Sequence, residues 1–116
     1  MRMKQRLIDA LSVLNYPVYL QGTAPDQYDD HFITFWTIDT PAAAEYDNAL
    51  MLTNWQFYVY FYSTDPALLQ SGAAAIRDAL KSAGFIPQGK GRDILSDEPT
   101  HTGWVQEFNI LEEEKA

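Results

Sequence analysis

The sequence predicts an α+β domain: a mostly antiparallel sheet of four to five strands with two helices packed on one face, in the order α-β-β-β-α-β-β. Three observations carry this expectation. From Trp55 to Tyr62 the chain alternates strictly, with Trp55, Phe57, Val59 and Phe61 pointing one way and Gln56, Tyr58, Tyr60 and Tyr62 the other, which is the period of a strand. Directly after it, Leu69, Ala73, Ile76 and Leu80 recur at helical spacing and form one apolar stripe. The other apolar runs are short, are separated by turn residues, and show no internal repeat.

Taken in order, Met3, Leu7, Ala10, Leu11 and Leu14 share a face of a first helix, which ends at Asn15-Tyr16 because Pro17 disfavours helix before it. Pro17 to Leu20 is a short extended piece stopped by Gly22, and Thr23 to Asp30, with Pro25 and three aspartates, is an exposed loop. In His31 to Ile38, Ile33 and Phe35 take one face and Phe32, Trp36 and Ile38 the other, so both faces are expected to be covered at least in part. The pattern lapses from Asp39 to Leu52, which reads as a long connection with room for a helical turn, joining two antiparallel strands.

The central strand then passes to Asp65, an N-cap, and Pro66, at a first-turn position where a missing N–H costs nothing. Gly84 supplies the residue past the helix end that tolerates a left-handed backbone. Phe85 to Gln88 is extended, Gly89-Lys90-Gly91 breaks or bulges the strand before Arg92 to Leu95, and Ser96 to Pro99 is a turn. The last strand is expected from about Thr100 to Leu111, with Thr102, Trp104, Phe108 and Ile110 on one face. Residues 1–111 thus form one domain, and 112–116, Glu-Glu-Glu-Lys-Ala, a short acidic tail expected to fray.

A chain of 116 residues, 47% apolar and 14% aromatic, is long enough for one buried core and too apolar for general disorder. Without cysteine there is no disulfide scaffold, thiol chemistry or cysteine metal site. Asp9 and Ser12 interrupt the first apolar run, so it reads as an amphipathic helix rather than a signal peptide, and the protein is expected to be soluble and made in the cytoplasm. The net charge of −8 argues against nucleic-acid binding, which needs clustered Lys and Arg. Basic residues sit at Arg2, Lys4 and Arg6 and again at Arg77, Lys81, Lys90 and Arg92, whereas the stretch between is purely acidic. Such sign separation suits complementary surfaces that meet copies or partners, or else plain solvated surface.

Catalytic constellations are not evident. Asp29 and Asp30 precede His31, and Glu98 lies near His101, but one histidine opens a strand and the other sits beside a turn, both ordinary surface positions. Asp26, Asp29 and Asp30 lack the spacing, central Gly and distal Glu of a calcium loop. Gly89-Lys90-Gly91-Arg92 has no following Ser or Thr and opens no helix, so it is not a phosphate loop. Neither a serine elbow nor a nucleotide fingerprint is present, and the expectation is a non-enzyme with no cofactor and no metal. The row Tyr58, Tyr60, Tyr62 is the most unusual feature. It serves either as interface anchors or as a second layer of internal packing beneath the Asp39–Leu52 connection, and the acidic balance disfavours nucleobase stacking.

The helix followed by LNYPVYLQG, the strand HFITFW, the stretch YDNALMLTNWQFYVYFYSTDP and the ending LKSAGF resemble, in order and over nearly the whole chain, the small tail-terminator (tail-completion, neck) proteins of long-tailed phages and prophages. The family has no active-site motif to carry over. The resemblance implies a virion structural protein made in the bacterial cytoplasm. It would assemble as a ring, expected to be a hexamer, at the head-proximal end of the tail tube, stop tube polymerisation and join the tail to the head. The implied partners are further copies of itself, the tail tube protein and the head-tail connector, with no sequence-specific nucleic acid and no membrane. Ring subunits meet through two different patches, and the candidates are Tyr58, Tyr60 and Tyr62, the connection with Tyr46 and Asp47, and the basic set Arg77, Lys81, Lys90 and Arg92. The alternative is an acidic inhibitor, immunity-type or adaptor protein that masks a basic partner.

Overall fold

The structure, a computed structural model, describes residues 2–20, 29–38, 42–45, 50–96 and 99–115. Helix α1 (Arg2–Leu11) runs into a 3-10 turn (Ser12–Leu14) and is followed by strands β1 (Val18–Leu20), β2 (His31–Thr37), β3 (Ala42–Glu45) and β4 (Leu50–Ser63). Helix α2 (Pro66–Ser82) and strands β5 (Ile86–Ile94) and β6 (Thr102–Lys115) complete an α+β fold. The sheet order is β1-β2-β4-β6-β5. β1 lies parallel to β2 and every other pairing is antiparallel.

Strict alternation in β4 separates the two faces of the sheet. Phe57, Val59 and Phe61 are fully buried with Ile33 and Phe35 of β2 and Trp104, Phe108 and Ile110 of β6. Over them lie Met3, Leu7 and Leu11 of α1 and Ala73, Ile76 and Leu80 of α2. Each buried Leu, Ile or Phe side chain contributes about 1.5–3 kcal/mol, so the helices are held by the stripes their sequences display. The Asp65 carboxylate caps α2 by accepting from Ala67 N–H at 3.0 Å. At the other end of α2, Arg6 Nη2 donates to Ala83 O at 2.9 Å, placing a cation at a helix C-terminus and tying α1 to α2. Gly84 follows with φ 96°.

Two expectations are corrected and a third is met. The Asp39–Leu52 connection contains a short strand, β3, rather than a helical turn, and β4 begins at Leu50. β3 pairs with Met51–Thr53, just beyond the Phe57–Ser63 segment that β2 covers, so one side of β4 is shared by two partners. Tyr46 and Asp47, like residues 39–41, lie outside the described residues. The acidic end does not fray: β6 continues through Glu112 to Lys115, which pairs with Leu50. Those glutamates pair with Thr53, Leu52 and Met51 of β4, so their backbone groups have ladder partners. Lastly, β5 is one strand across Gly89-Lys90-Gly91, with the expected bulge present as a register shift between Gln88 and Arg92. The long β4–β6 ladder stretches the molecule to 53 × 26 × 23 Å, with a radius of gyration of 15.3 Å against about 13 Å for a compact chain of this length.

α2 approaches β4 so closely that an alanine Cβ at Gly72 would lie 2.8 Å from Phe61 Cζ. Phe61 is fully buried and has no room to yield. Gly72→Ala therefore lowers the melting temperature, because overpacking of about 1–3 kcal/mol exceeds the roughly 1 kcal/mol that alanine gains in helix propensity. A rise in thermal stability on this substitution would contradict the close packing.

Candidate interaction surface

The face of the sheet opposite the helices is aromatic. Register places Phe32, Thr34 and Trp36 of β2 beside Tyr62, Tyr60 and Tyr58 of β4, and beyond these Gly103, Val105 and Glu107 of β6. Tyr60 and Tyr62 stack with centroids 6.2 Å apart and planes 2° from parallel. Trp36 stacks on Tyr58 at 6.1 Å and Phe32 on Tyr62 at 5.1 Å, while Tyr19 of β1 meets the edge of Phe32 at 6.3 Å. Pairs of this kind add about 0.5–1.5 kcal/mol beyond burial, so the row also stiffens the sheet.

Exposure is graded along this face. Phe32, Thr34 and Val105 are buried and the three tyrosines are half-buried, but Trp36 is 46% exposed. Ile86 and Leu111, paired with Asn109 and Asn54, continue the same face and are more than half exposed. A monomeric fold does not require an open tryptophan stacked on a tyrosine; amphipathic rings with one wet edge are what protein interfaces concentrate.

At the buried end, both histidines hold the corner where β2, β4 and β6 meet. His101 Nε2 lies 2.7 Å from Asp29 O, an acceptor only, so this nitrogen carries the proton and donates. His101 Nδ1 lies 3.0 Å from the Thr100 hydroxyl. His31 Nδ1 is 2.8 Å from Ser63 Oγ, which also accepts from Asp65 N–H at 3.0 Å. The Asp29 carboxylate accepts from the Tyr19 hydroxyl at 2.7 Å, and that hydrogen bond, with a smaller contribution from burial, raises the Tyr19 pKa above its ordinary value. These contacts tie loop to strand and strand to helix. Glu98 lies outside the described residues, and among the described residues no group of three or more His, Asp or Glu side chains is placed to hold a metal ion.

Three of the four basic candidates come together. Arg77, Lys90 and Arg92 line a groove of about 450 Å³ between α2 and β5, with Asp93 and Trp104 in its wall. Arg77 Nη1 donates to Lys90 O at 3.0 Å, fixing the bulge against the helix. Lys81, one turn further along α2, is exposed and outside the groove. The bulge needs Gly91, whose φ is 78° and whose Cβ, if present, would sit 2.8 Å from Trp104 Cε2.

Two residues of these surfaces escape a reading by type alone. Trp36 belongs to the tyrosine row only through antiparallel register, although its parity in HFITFW matches Phe32. Gln106 is buried at a core-facing position between Trp104 and Phe108, where its Nε2 donates to Gly89 O at 2.7 Å and spans the bulge. A polar residue at core parity opposite a glycine-rich break was the available signal. In comparisons with known proteins, no family model and no curated protein matches the chain.

The graded exposure is open to measurement. Trp36→Phe is expected to remove most of the acrylamide-quenchable tryptophan fluorescence, whereas Trp104→Phe, at a position only 5% exposed, should remove little. Equal losses for the two variants would contradict the open face.

Proposed function

We propose that this chain is a structural subunit of a long-tailed phage or prophage tail, a terminator that assembles as a ring on the head-proximal end of the tail tube. The ring ends tube growth and offers its outer surface to the head-tail connector. The observation that carries this reading is the uncovered aromatic face, where Trp36 and Tyr58 stack on each other while the helices occupy the opposite side of the sheet. Supporting it is the ordered resemblance of the sequence, from LNYPVYLQG to LKSAGF, to tail-terminator proteins.

A terminator must match a growing tube on one side and offer nothing tube-like on the other. An elongated subunit whose two ends differ in chemistry is suited to that task, and its contacts within a ring are heterologous, one patch against a different one. On this reading the activity is assembly itself, and Tyr58, Tyr60 and Trp36 act as anchors that exclude water from the contact.

Deletion of the gene encoding this chain is expected to give tails of uncontrolled length that fail to join heads, as seen by electron microscopy of the particles. Uniform tails of normal length carrying functional heads would overturn the proposal. In complementation, Trp36→Ser with Tyr58→Ser is expected to fold yet fail to restore normal particles, since it removes the exposed Trp36 ring and the half-buried Tyr58 ring and leaves the core between sheet and helices untouched.

A further inference from the structure

The groove between α2 and β5 gathers hydrogen-bond donors and leaves most of them without acceptors. Arg77, Lys90 and Arg92 line it together with Asp93 and Trp104, and among the described residues no carboxylate is ion-paired with any of the three cations. Arg77 uses one N–H on Lys90 O at 3.0 Å, which fixes its guanidinium and leaves the rest of the planar fork unused. Trp104 is only 5% exposed, yet its indole N–H has no hydrogen-bond partner among the described residues. A buried tryptophan usually finds one. Gly91 of the bulge lies against that indole: a Cβ there would stand 2.5 Å from Nε1, so the missing side chain leaves the nitrogen uncovered.

These unused donors outnumber the single carboxylate in the wall, and they call for a ligand that accepts. An ionised carboxylate does so with both oxygens and matches the arginine fork. A second hollow of about 400 Å³ adjoins the groove; the two share Pro66, Leu69 and Asp93, and the second adds Ile94 and Leu95. Leu95 is 97% exposed, an aliphatic side chain beside the cations. An occupant that fills both hollows is therefore elongated, acidic at one end and apolar at the other. β5 is the last strand of the sheet, but Pro87, the bulge and Lys90 discourage pairing along its edge. Such an occupant is held by side chains rather than as an added strand.

We propose that the α2–β5 groove docks an acidic segment of a partner protein, its carboxylates accepting from Arg77, Lys90, Arg92 and the Trp104 indole N–H, and an aliphatic residue of the segment resting beside Leu69 and Leu95. The site lies on the helix-covered side of the sheet, away from the aromatic face, and does not depend on the tail-terminator reading. A phosphate polymer fits less well. It carries a charge every ~1.7 Å of duplex, so beyond the groove it meets a chain of net charge −8. The acids of a peptide end where the cations do, and charges further off are screened beyond about 8 Å at physiological salt.

The test selects from random linear peptides displayed on ribosomes, with the full chain as bait. Enriched peptides are expected to set neighbouring acidic residues beside an aliphatic one. Their affinity, read by fluorescence anisotropy, should fall about tenfold or more in Lys90→Glu with Arg92→Glu. It should stay close to wild type in Lys4→Glu with Lys81→Glu, an equal change of charge outside the groove. Circular dichroism confirms that both variants are folded. In NMR spectra of the wild-type chain, a selected peptide should move the Trp104 indole N–H resonance and leave those of Trp36 and Trp55 in place. A selection that enriches no acidic peptides would overturn the proposal, as would equal losses in the two variants, which net charge alone would produce. Inorganic phosphate or duplex DNA that moves the Trp104 resonance when selected peptides do not would overturn it and give the groove to phosphate. Self-association of the free chain that Lys90→Glu with Arg92→Glu abolishes would overturn it in favour of a second copy.

Discussion

Fourteen consecutive residue pairs join β4 to β6, from Leu50 opposite Lys115 to Ser63 opposite Thr102, and every other element takes its position from that ladder. β2 and β3 divide one side of β4 between them, β5 closes the far side of β6, and β1 adds to β2. Because successive side chains on a strand point to opposite faces, the register of this one pairing decides which residues meet the helices. Phe57 faces Phe108 and Phe61 faces Trp104 on the covered side, while Tyr58 faces Glu107 and Tyr60 faces Val105 on the other. A slip of one residue would exchange the two sets, and the close fit of Gly72 against Phe61 leaves no tolerance for it.

The same pairing makes the two faces unequal. On the covered face most apolar side chains are enclosed by α1 and α2, and Gln106, a buried polar residue at core parity, donates to the backbone of the β5 bulge. On the other face the rings other than buried Phe32 are hydroxylated or exposed, and burial weakens from Phe32 towards Trp36. A tyrosine ring buries apolar area while its hydroxyl stays hydrated, so this row tolerates water in a free subunit and still gains from losing it. The unequal faces and the charged, elongated sheet together support a molecule that works by contact.

Much of this was legible in the sequence where local and tertiary preferences agree. The Trp55–Phe61 alternation, the Asp65-Pro66 start and the stripe Leu69, Ala73, Ile76, Leu80 each point to the element that forms, and the core packs from those residues. β3 was not legible, since Ala-Ala-Ala-Glu has little strand character of its own and exists as a strand through pairing with Met51–Thr53. The end of β6 was hidden for the same reason: three glutamates read as a solvated tail until Leu50–Thr53 supply backbone partners. The basic groove brings together Arg77 on a helix with Lys90 and Arg92 on a strand, a convergence that only the β5 bulge and the path of α2 create. Tyr58, Tyr60 and Tyr62 were visible as a row, but the most open ring of their face, Trp36, joins it through register with a distant segment.

The central claim is that the aromatic face is kept open for a partner rather than for the chain's own packing. Hydroxyl-radical footprinting, read by mass spectrometry on the free protein and on assembled particles, measures this most directly. The account predicts that Trp36 and Tyr58 are readily oxidised in the free chain and protected in the particle, with buried Phe57 and Phe108 unreactive in both. Equal oxidation of Trp36 and Tyr58 in the two states would contradict it.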